Sequence, residues 1–458
     1  MKSSRKIVLL FVLFFICNVN TFAKADKTYD KLGLMVDVME MIGVDYVSET
    51  KPEDLAVGAI KGVVAALKDP YCQYMEEKEY EKFKNELEGY YVGIGLISKV
   101  QNDRLVVILP MLGTPAYKAG ILPKDIIIKI DGKSTKGMPY SEAVSLMRGK
   151  VGKKVKLTIV RSDVLNPMEF NLVRKKIKSE TMVAKMLDNG IAYVKLMMFN
   201  AQSADDIKKA LTDYRKQGVK SLILDLRDNL GGLVDPAINI ASIFIKEKKL
   251  VVSTKGRTTE SKKEYFTSGN GEFSDLEFII LINKYSASAS EVLSGAMQDY
   301  KRALIMGCNT FGKGVIQETR PLPKKSTGAL VLTIAKYYLP SGRSINRSDD
   351  KDSKNGITPD VDVEVEVSKE DEERLCMQEY LISMNDKYQK ATSAKNKHQR
   401  SAVDKEKKVE DKVLNKAIEI IKENKIAEKI TSSKATEIIK ENKTVEKTEL
   451  SQPYKKKK

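Results

Sequence analysis

An alternation of apolar strand-type segments with helical segments, which begins at Gly190, constrains the fold of this chain most strongly. Short β-type segments at 221–225 and 278–282 are each followed by a segment with helical periodicity, at 234–245 and 289–300. Strands that are separated by helices usually pair in parallel and are covered by those helices. This part of the chain therefore predicts an α/β domain with a largely parallel sheet.

The 458 residues divide into five predicted segments of different composition. A basic start, eleven mostly large apolar residues and then small residues predict a secretory signal peptide over 1–23, with an uncleaved membrane anchor as the alternative. Helical periodicity predicts a helical segment over 24–88, and short β runs between turns predict a compact β domain over 89–178. The α/β domain takes 179–367, and a Lys/Glu-rich tail fills 368–458. The predicted fold class is multidomain α/β.

The net charge of +17 is concentrated in the tail, because residues 381–458 carry +9 of it. A nucleic-acid-binding protein concentrates basic residues on a folded face, so we expect no nucleic-acid partner. The tail contains a duplication, in which 416–425 returns as 434–443 after 18 residues, or five helical turns. A docking helix and a solvated, partly disordered tail both remain open. The lysines at 455–458 suit contact with an anionic membrane surface.

The count of histidines limits the possible chemistry. The chain has one histidine, His398, and it lies in the charged tail, which excludes Ser-His-Asp and Cys-His catalysis and multi-histidine metal sites. Four cysteines stand far apart with no C-x-x-C spacing, so neither a zinc ribbon nor a disulfide framework is predicted. We expect no metal and no cofactor. A lysine can replace histidine as the base, since burial lowers its pKa from about 10.4 towards about 7 to 8.

Two segments carry a hydroxyl group and a lysine in positions that suit nucleophilic catalysis. The sequence K-Y-S-A-S-A-S-E at 284–291 lies between a predicted strand and helix, so Ser288 is presented at a helix N-terminus with free N–H groups. Ser288 and Glu291 also match an S-x-x-E capping box, and a purely structural cap is the alternative. Lys313 stands between two glycines in T-F-G-K-G, and Gln317 is placed to hold it by an amide hydrogen bond.

Five blocks occur in one order along the chain, and together they are similar to a known family. The blocks are L-R-D-N-L-G-G at 226–232, S-A-S-A-S-E at 286–291, T-F-G-K-G at 310–314, Y-L-P-S-G-R-S-I at 338–345 and G-I-T-P-D at 356–360. The chain resembles the carboxyl-terminal processing (tail-specific) serine protease family over about 46–365.

The resemblance implies a catalytic group, which consists of Ser288, Lys313, Gln317 and Asp299. It also implies an oxyanion site, which consists of the amides of Gly231, Gly232 and Ala289. In this group Ser288 is the nucleophile, Lys313 the base and Gln317 the residue that positions the lysine. Asp299 ends a predicted helix, so a structural role is its alternative. The two glycines end a strand-type segment, where a plain turn is the alternative to an oxyanion site.

The resemblance also implies that 89–178 is a PDZ domain, a β-sandwich-like fold with helices. Its carboxylate-binding loop has successive main-chain amides for a peptide C-terminus, at Val92, Gly93, Ile94, Gly95 and Leu96. The implied function is an exported serine endopeptidase of the periplasm or cell envelope, peripheral to the inner membrane, that cleaves proteins selected by their free C-termini. The expected partners are a second copy, joined through the N-terminal helices, and an adaptor or activator. A catalytically silent PDZ scaffold is the rival function.

Overall fold

The computed structural model describes residues 29–162, 164–323, 328–346, 356–363, 369–392 and 409–432. The chain divides into two units, one built from Met1–Glu77 and Gln317–Thr333 and the other from Lys78–Ile316 and Ile334–Lys458. The predicted signal peptide lies outside the described residues.

The helices are α1 (29–45), α2 (Pro52–Ala65), α3 (Glu77–Leu87), α4 (Pro115–Lys118), α5 (Tyr140–Met147), α6 (Ser203–Arg215), α7 (Val234–Phe244), α8 (Ala289–Asp299), α9 (Lys369–Thr392), α10 (Lys412–Lys422) and α11 (Ile426–Thr431). The strands are β1 (Gln73–Met75), β2 (Tyr90–Gly93), β3 (Leu96–Gln101), β4 (Arg104–Pro110), β5 (Ile126–Ile130), β6 (Lys133–Ser134), β7 (Lys154–Val160), β8 (Met168–Val173), β9 (Lys175–Lys178), β10 (Met182–Leu187), β11 (Ile191–Leu196), β12 (Ser221–Asp225), β13 (Leu250–Gly256), β14 (Lys263–Phe266), β15 (Glu277–Ile282), β16 (Leu304–Gly307), β17 (Val315–Pro321), β18 (Ala329–Tyr338) and β19 (Val361–Asp362).

The first unit combines the N-terminal helices with a small antiparallel sheet. Pro52 occupies the first turn of α2, where its missing N–H costs no hydrogen bond. Strand β1 pairs antiparallel with Ala329–Val331 of β18, and β17 also pairs with β18. Helix α1 leaves large apolar side chains in solvent, for example Leu32 and Val36. The predicted helical N-terminal segment is confirmed.

Residues 89–178 of the second unit form the predicted PDZ domain around an antiparallel sheet of order β3-β4-β5-β7-β8. The alternation of apolar and polar residues in β7 turns Val155, Leu157 and Ile159 inward, and each is at most 1% exposed. Strand β3 is an edge strand of this sheet, and helix α5 packs Ala143 and Met147 into the same core. The β2–β9 ribbon leads into and out of the domain.

The α/β domain contains a six-stranded sheet of order β10-β11-β12-β15-β16-β19. All of its strands run parallel except β10, which lies antiparallel beside β11. Helices α6, α7 and α8 cover one face of the sheet. The central strands are buried on both faces, as expected for a parallel sheet, and this explains their continuous apolar sequences. The predicted α/β fold is confirmed.

Part of the Lys/Glu-rich tail is folded onto the other face of this sheet. In α10, the residues Leu414, Ala417, Ile420 and Ile421 share one helical face and pack on strands β11, β12, β15 and β16. The first copy of the duplication is therefore a docking helix, while the second copy at 434–443 lies outside the described residues. Among the described helices, none is both long and apolar enough to cross a membrane.

Candidate active site

The turn between β15 and α8 places Ser288 directly before the helix. Its main chain has φ 56° and ψ −113°, which residues with a side chain rarely adopt, and the residue is 8% exposed. Ser286 fixes the turn, since its Oγ donates to the Leu226 carbonyl and accepts the N–H of Asn283. The first N–H groups of a helix have no partner within the helix, and here the N–H of Ser290 donates to the Ala287 carbonyl, whereas that of Ala289 has no acceptor among the described residues.

Glu291, in the first turn of α8, connects the two segments that carry the predicted nucleophile and base. Its side chain is buried, and its Oε2 accepts the N–H of Ser288 at 2.8 Å and that of Lys313 at 2.9 Å. Its Oε1 accepts the Thr310 hydroxyl and the Gly312 N–H, both at 2.6 Å. Desolvation raises the pKa of Glu291, although these hydrogen bonds act in the opposite direction. One carboxylate oxygen thus joins the main chains of the two predicted dyad residues.

The two glycines beside Lys313 are required by the local geometry. Gly312 has φ 86°, a left-handed conformation that favours glycine. A Cβ on Gly314 would lie 2.2 Å from the main-chain nitrogen of Asn346. The loop can therefore hold Lys313 in this conformation only with glycine on both sides. This requirement explains the T-F-G-K-G pattern in the sequence.

The Gly-Gly turn after β12 packs directly on the nucleophile segment. A Cβ on Gly231 would lie 2.9 Å from the Ser288 Cβ, and the Gly231 N–H donates to Asn229 Oδ1 at 2.9 Å. Within the described part of the chain, the N–H groups of Gly232 and Ala289 have no acceptor. These two amides are therefore available to an oxyanion, whereas the Gly231 amide is already used. The oxyanion role of the three residues stays a prediction.

Asp299 lies at the far end of α8 from Ser288. The rise of about 1.5 Å per residue in an α-helix separates the two by about 16 Å. The Asp299 carboxylate accepts the N–H of Ser341 at 2.8 Å and lies 3.0 Å from Arg343 Nη2. The structure does not bring Asp299 to the nucleophile, and its contacts fit the structural alternative. Its catalytic role stays a prediction.

Gln317 belongs to the first unit, and its side-chain amide donates to Thr333 Oγ1 at 3.1 Å. Thr333 also donates its N–H to the Cys72 sulfur at 3.3 Å. The side chain of Gln317 is thus oriented by a strand residue of its own unit. Its predicted contact with Lys313 stays a prediction.

The predicted carboxylate-binding loop of the PDZ domain is held by its carbonyl groups. The Ile94 carbonyl accepts the N–H of Ala116, and the Gly95 carbonyl accepts the N–H of Met111 and the hydroxyl of Thr114. Gly95 has φ 79°, and a Cβ there would lie 2.3 Å from Thr114. Among the described residues no acceptor faces the N–H groups of Ile94 and Gly95. Two successive amides beside the free edge of β3 thus have no acceptor among the described residues.

Family models and curated relatives show the family of this chain. Models match at 190–363 (peptidase family S41), 106–161 (PDZ domain) and 18–79 (activating protease CtpB N-terminal domain). A carboxy-terminal-processing protease of Bartonella bacilliformis is 37% identical over 74% of this chain and 76% of its own length. The chain belongs to peptidase family S41. A probable CtpA-like serine protease of Staphylococcus haemolyticus is 40% identical over 70% of the S41 chain, and the match spans 62% of that relative.

Solved structures that match this chain include a photosystem II D1 C-terminal processing protease. It is 27% identical, with a TM-score of 0.42, and the match covers 75% of the S41 chain and 95% of that protein. A putative S41 protease from Bacteroides fragilis is 17% identical, with a TM-score of 0.47, over 77% of the S41 chain and 92% of that protein.

Sequence reasoning missed a buried charge cluster at the carboxyl end of β12 in the S41 chain. Arg227 donates to both carboxylate oxygens of the fully buried Asp225, and Tyr193 donates its hydroxyl to the same group at 2.8 Å. Lys195 lies 3.8 Å from Asp225. Desolvation alone would raise the pKa of Asp225, but the charges of Arg227 and Lys195 and these hydrogen bonds hold it well below its usual value. Asp225 and Arg227 are visible in the sequence as L-D-L-R at 224–227, but the predictions above rest only on the glycines that follow them.

Proposed function

We propose that the chain is a serine endopeptidase with a Ser288/Lys313 dyad that cleaves proteins selected by their C-termini. The observation that carries the proposal is the Glu291 carboxylate, which binds the main chains of both residues through one oxygen. The free amides of Gly232 and Ala289 beside this pair support an acyl-transfer reaction, because such donors stabilise negative charge on a tetrahedral intermediate.

In the proposed mechanism, Lys313 acts from its neutral amine form. It takes the proton of the Ser288 hydroxyl while Oγ forms a bond to the peptide carbonyl carbon, and the amides of Gly232 and Ala289 bind the resulting oxyanion. The lysine ammonium then protonates the leaving amine as the C–N bond breaks. Water attacks the acyl-enzyme, Lys313 takes a proton from that water, and the proton returns to Ser288 as the acid product leaves.

Selection of substrates by their tails is supported by the PDZ domain. The amides of Ile94 and Gly95, which have no acceptor among the described residues, suit a terminal carboxylate, and the free edge of β3 suits addition of the peptide as a further strand. Leu96 of β3 and Val144 of α5 are partly buried apolar side chains that pack on the core of this domain. An apolar, uncharged C-terminal residue therefore fits this site.

Replacing the nucleophile tests the proposed reaction. Ser288→Ala is expected to lower cleavage of an unstructured protein with an apolar C-terminus by at least about 10⁴-fold, because no other group forms the acyl-enzyme. Cleavage is measured by the appearance of new N-termini, and wild type is also treated with a fluorophosphonate that labels reactive serines. Ser294→Ala is the matched control, since Ser294 lies on α8 and bonds only within the helix. Equal cleavage by wild type and Ser288→Ala would refute the proposed nucleophile.

A blocked substrate tail tests selection by the C-terminus. Amidation of the substrate's C-terminal carboxylate is expected to weaken cleavage at least about tenfold, because the negative charge proposed to bind the amides of Ile94 and Gly95 is lost. The amidated and free substrates have the same cleavage site, so a change in rate reports the tail alone. Cleavage at the same rate would contradict tail selection, while tail binding without any cleavage would favour the catalytically silent scaffold.

The proposal includes location and partners. Export to the periplasm or cell envelope is proposed from the signal-type sequence at 1–23. A homodimer through the N-terminal helices is supported by the exposed apolar side chains of α1, such as Leu32, Val36 and Val44. The adaptor or activator and the contact of the lysine-rich end with an anionic membrane remain proposals of the same kind.

A further inference from the structure

The folded tail makes a direct contact with the loop that follows β12. Asp411, the residue before α10, accepts hydrogen bonds from Arg227 Nη1 at 2.8 Å and from Nη2 at 2.6 Å. Its Oδ1 also accepts the N–H of Leu414 and so caps the helix. Paired hydrogen bonds between a guanidinium and a carboxylate are strong and directional. Both side chains are largely buried, at 12% and 15% exposure, so this contact is little screened by solvent.

Arg227 is the charged anchor of that loop. It binds Asp225 on one side and Asp411 on the other through four hydrogen bonds. Without the Asp411 carboxylate, Arg227 Nη1 would lose the acceptor that it has among the described residues. Asp225 would then be the remaining carboxylate partner of Arg227. Because Arg227 precedes Gly231 by four residues, its position governs where the Gly-Gly turn begins.

A short series of contacts connects this anchor to the nucleophile. Asp228, next to Arg227, makes two hydrogen bonds with the side-chain amide of Asn283, on the segment before Ser288: its N–H donates to Asn283 Oδ1, and its Oδ1 accepts from Asn283 Nδ2. Asn229 receives the N–H of Gly231 on its side chain and that of Ala287 on its carbonyl. Asp228 and Asn229 are therefore both hydrogen-bonded to the nucleophile segment, and the exposed Leu230 is the remaining residue between them and the glycines.

We propose that Asp411 is a positioning residue, through which helix α10 of the tail holds the Arg227–Gly232 loop and its amide donor in place beside Ser288. The consequence for catalysis rests on the proposed function above. Helix α10 suits this role, because its apolar face is packed on the sheet through Leu414 and Ile421. The tail thus contributes to the oxyanion site without contacting substrate.

Single substitutions in the full-length protein test this role. Asp411→Asn keeps the shape and the helix cap but turns an NH₂ group towards the guanidinium, and Asp411→Glu keeps the charge. Glu419→Gln on the exposed side of α10 is the matched control, since it pairs only with Lys416 on the same helix. Three quantities are compared with wild type: kcat and KM for the tail-bearing substrate, hydrogen exchange of the amides at 226–232, and the Tm.

Asp411→Asn is expected to lower kcat about tenfold with KM within twofold, and to speed exchange at 226–232 about tenfold while strands β11 and β15 stay protected. Asp411→Glu is expected to keep most of the wild-type kcat and most of the wild-type protection at 226–232. Glu419→Gln is expected to change neither kcat nor this protection. Unchanged exchange at 226–232 in Asp411→Asn would overturn the proposal, as would a loss of protection spread over the whole sheet. Wild type that neither cleaves nor reacts with fluorophosphonate would refute the proposed function, and the exchange result would still decide the role of Asp411.

Discussion

Lys313→Arg is expected to lower kcat/KM by at least about 10⁴-fold while the protein stays folded. An arginine side chain has nearly the same length and the same charge, but its guanidinium cannot give up a proton at neutral pH, so it cannot act as a base. The main-chain contacts of this position involve its N–H, which donates to Glu291, and they are unchanged by the substitution. The glycines on both sides also retain their conformations. The measurement is cleavage of the tail-bearing substrate across pH 6 to 10.

The matched control is Lys336→Arg, which makes the same chemical change at an exposed position of β18. It is expected to keep kcat/KM within twofold of wild type. Binding of a fluorescent tail peptide to the PDZ domain should be equal in wild type and both variants, which shows that folding is intact. If Lys313→Arg cleaves at the control's rate, a lysine base is excluded and the proton of Ser288 must go elsewhere.

The fold was predictable because its signals are local. Parallel strands buried on both faces have continuous apolar sequences, and β12 occupies the predicted 221–225. Helices α7 and α8 begin at the predicted residues and end one residue earlier than predicted. In the T-F-G-K-G loop, Gly314 lies so close to Asn346 that only glycine fits. This requirement is therefore visible in the sequence.

The catalytic geometry was predictable only in part, because one residue serves two purposes. The S-x-x-E pattern at Ser288 and Glu291 indicated a helix cap, and the carboxylate does accept the Ser288 N–H. It also binds Lys313, 22 residues further along the chain, and local sequence contains no signal for that contact. The capping and catalytic interpretations of this segment are therefore two parts of one arrangement.

The tail contact could not be predicted at all. Arg227 and Asp411 are separated by 184 positions, and each belongs to a charged segment where many other pairings are equally compatible with the sequence. The heptad-like apolar positions of α10 allowed a docking helix, but they did not specify which surface it covers. Only the packing of Leu414 and Ile421 on the sheet sets Asp411 beside the guanidinium.

Glu291→Gln is expected to lower kcat about 100-fold and to reduce the free energy of unfolding by about 2 to 4 kcal/mol. The carboxylate serves four donors, two on each oxygen, whereas the glutamine amide has one acceptor oxygen and an NH₂ group that faces the other two donors. If the NH₂ group replaces Oε2, the link between Ser288 and Lys313 is lost. If it replaces Oε1, Thr310 and Gly312 lose their acceptor and the loop that carries the lysine is loosened.

Glu277→Gln provides the comparison, because Glu277 begins β15 and accepts a single hydroxyl, that of Ser221. We expect this control to cost less than about 1 kcal/mol and to leave kcat within twofold. Urea unfolding and steady-state cleavage, measured on the same samples at pH 7, separate the two effects. A Glu291→Gln protein that is destabilised by the expected amount but cleaves at the wild-type rate would show that Glu291 is only a helix cap. A Glu291→Gln protein with wild-type stability and a large loss of kcat would show instead that the negative charge of Glu291 acts on the reaction. Wild-type stability would mean that residue 291 still accepts the N–H groups of Ser288 and Lys313.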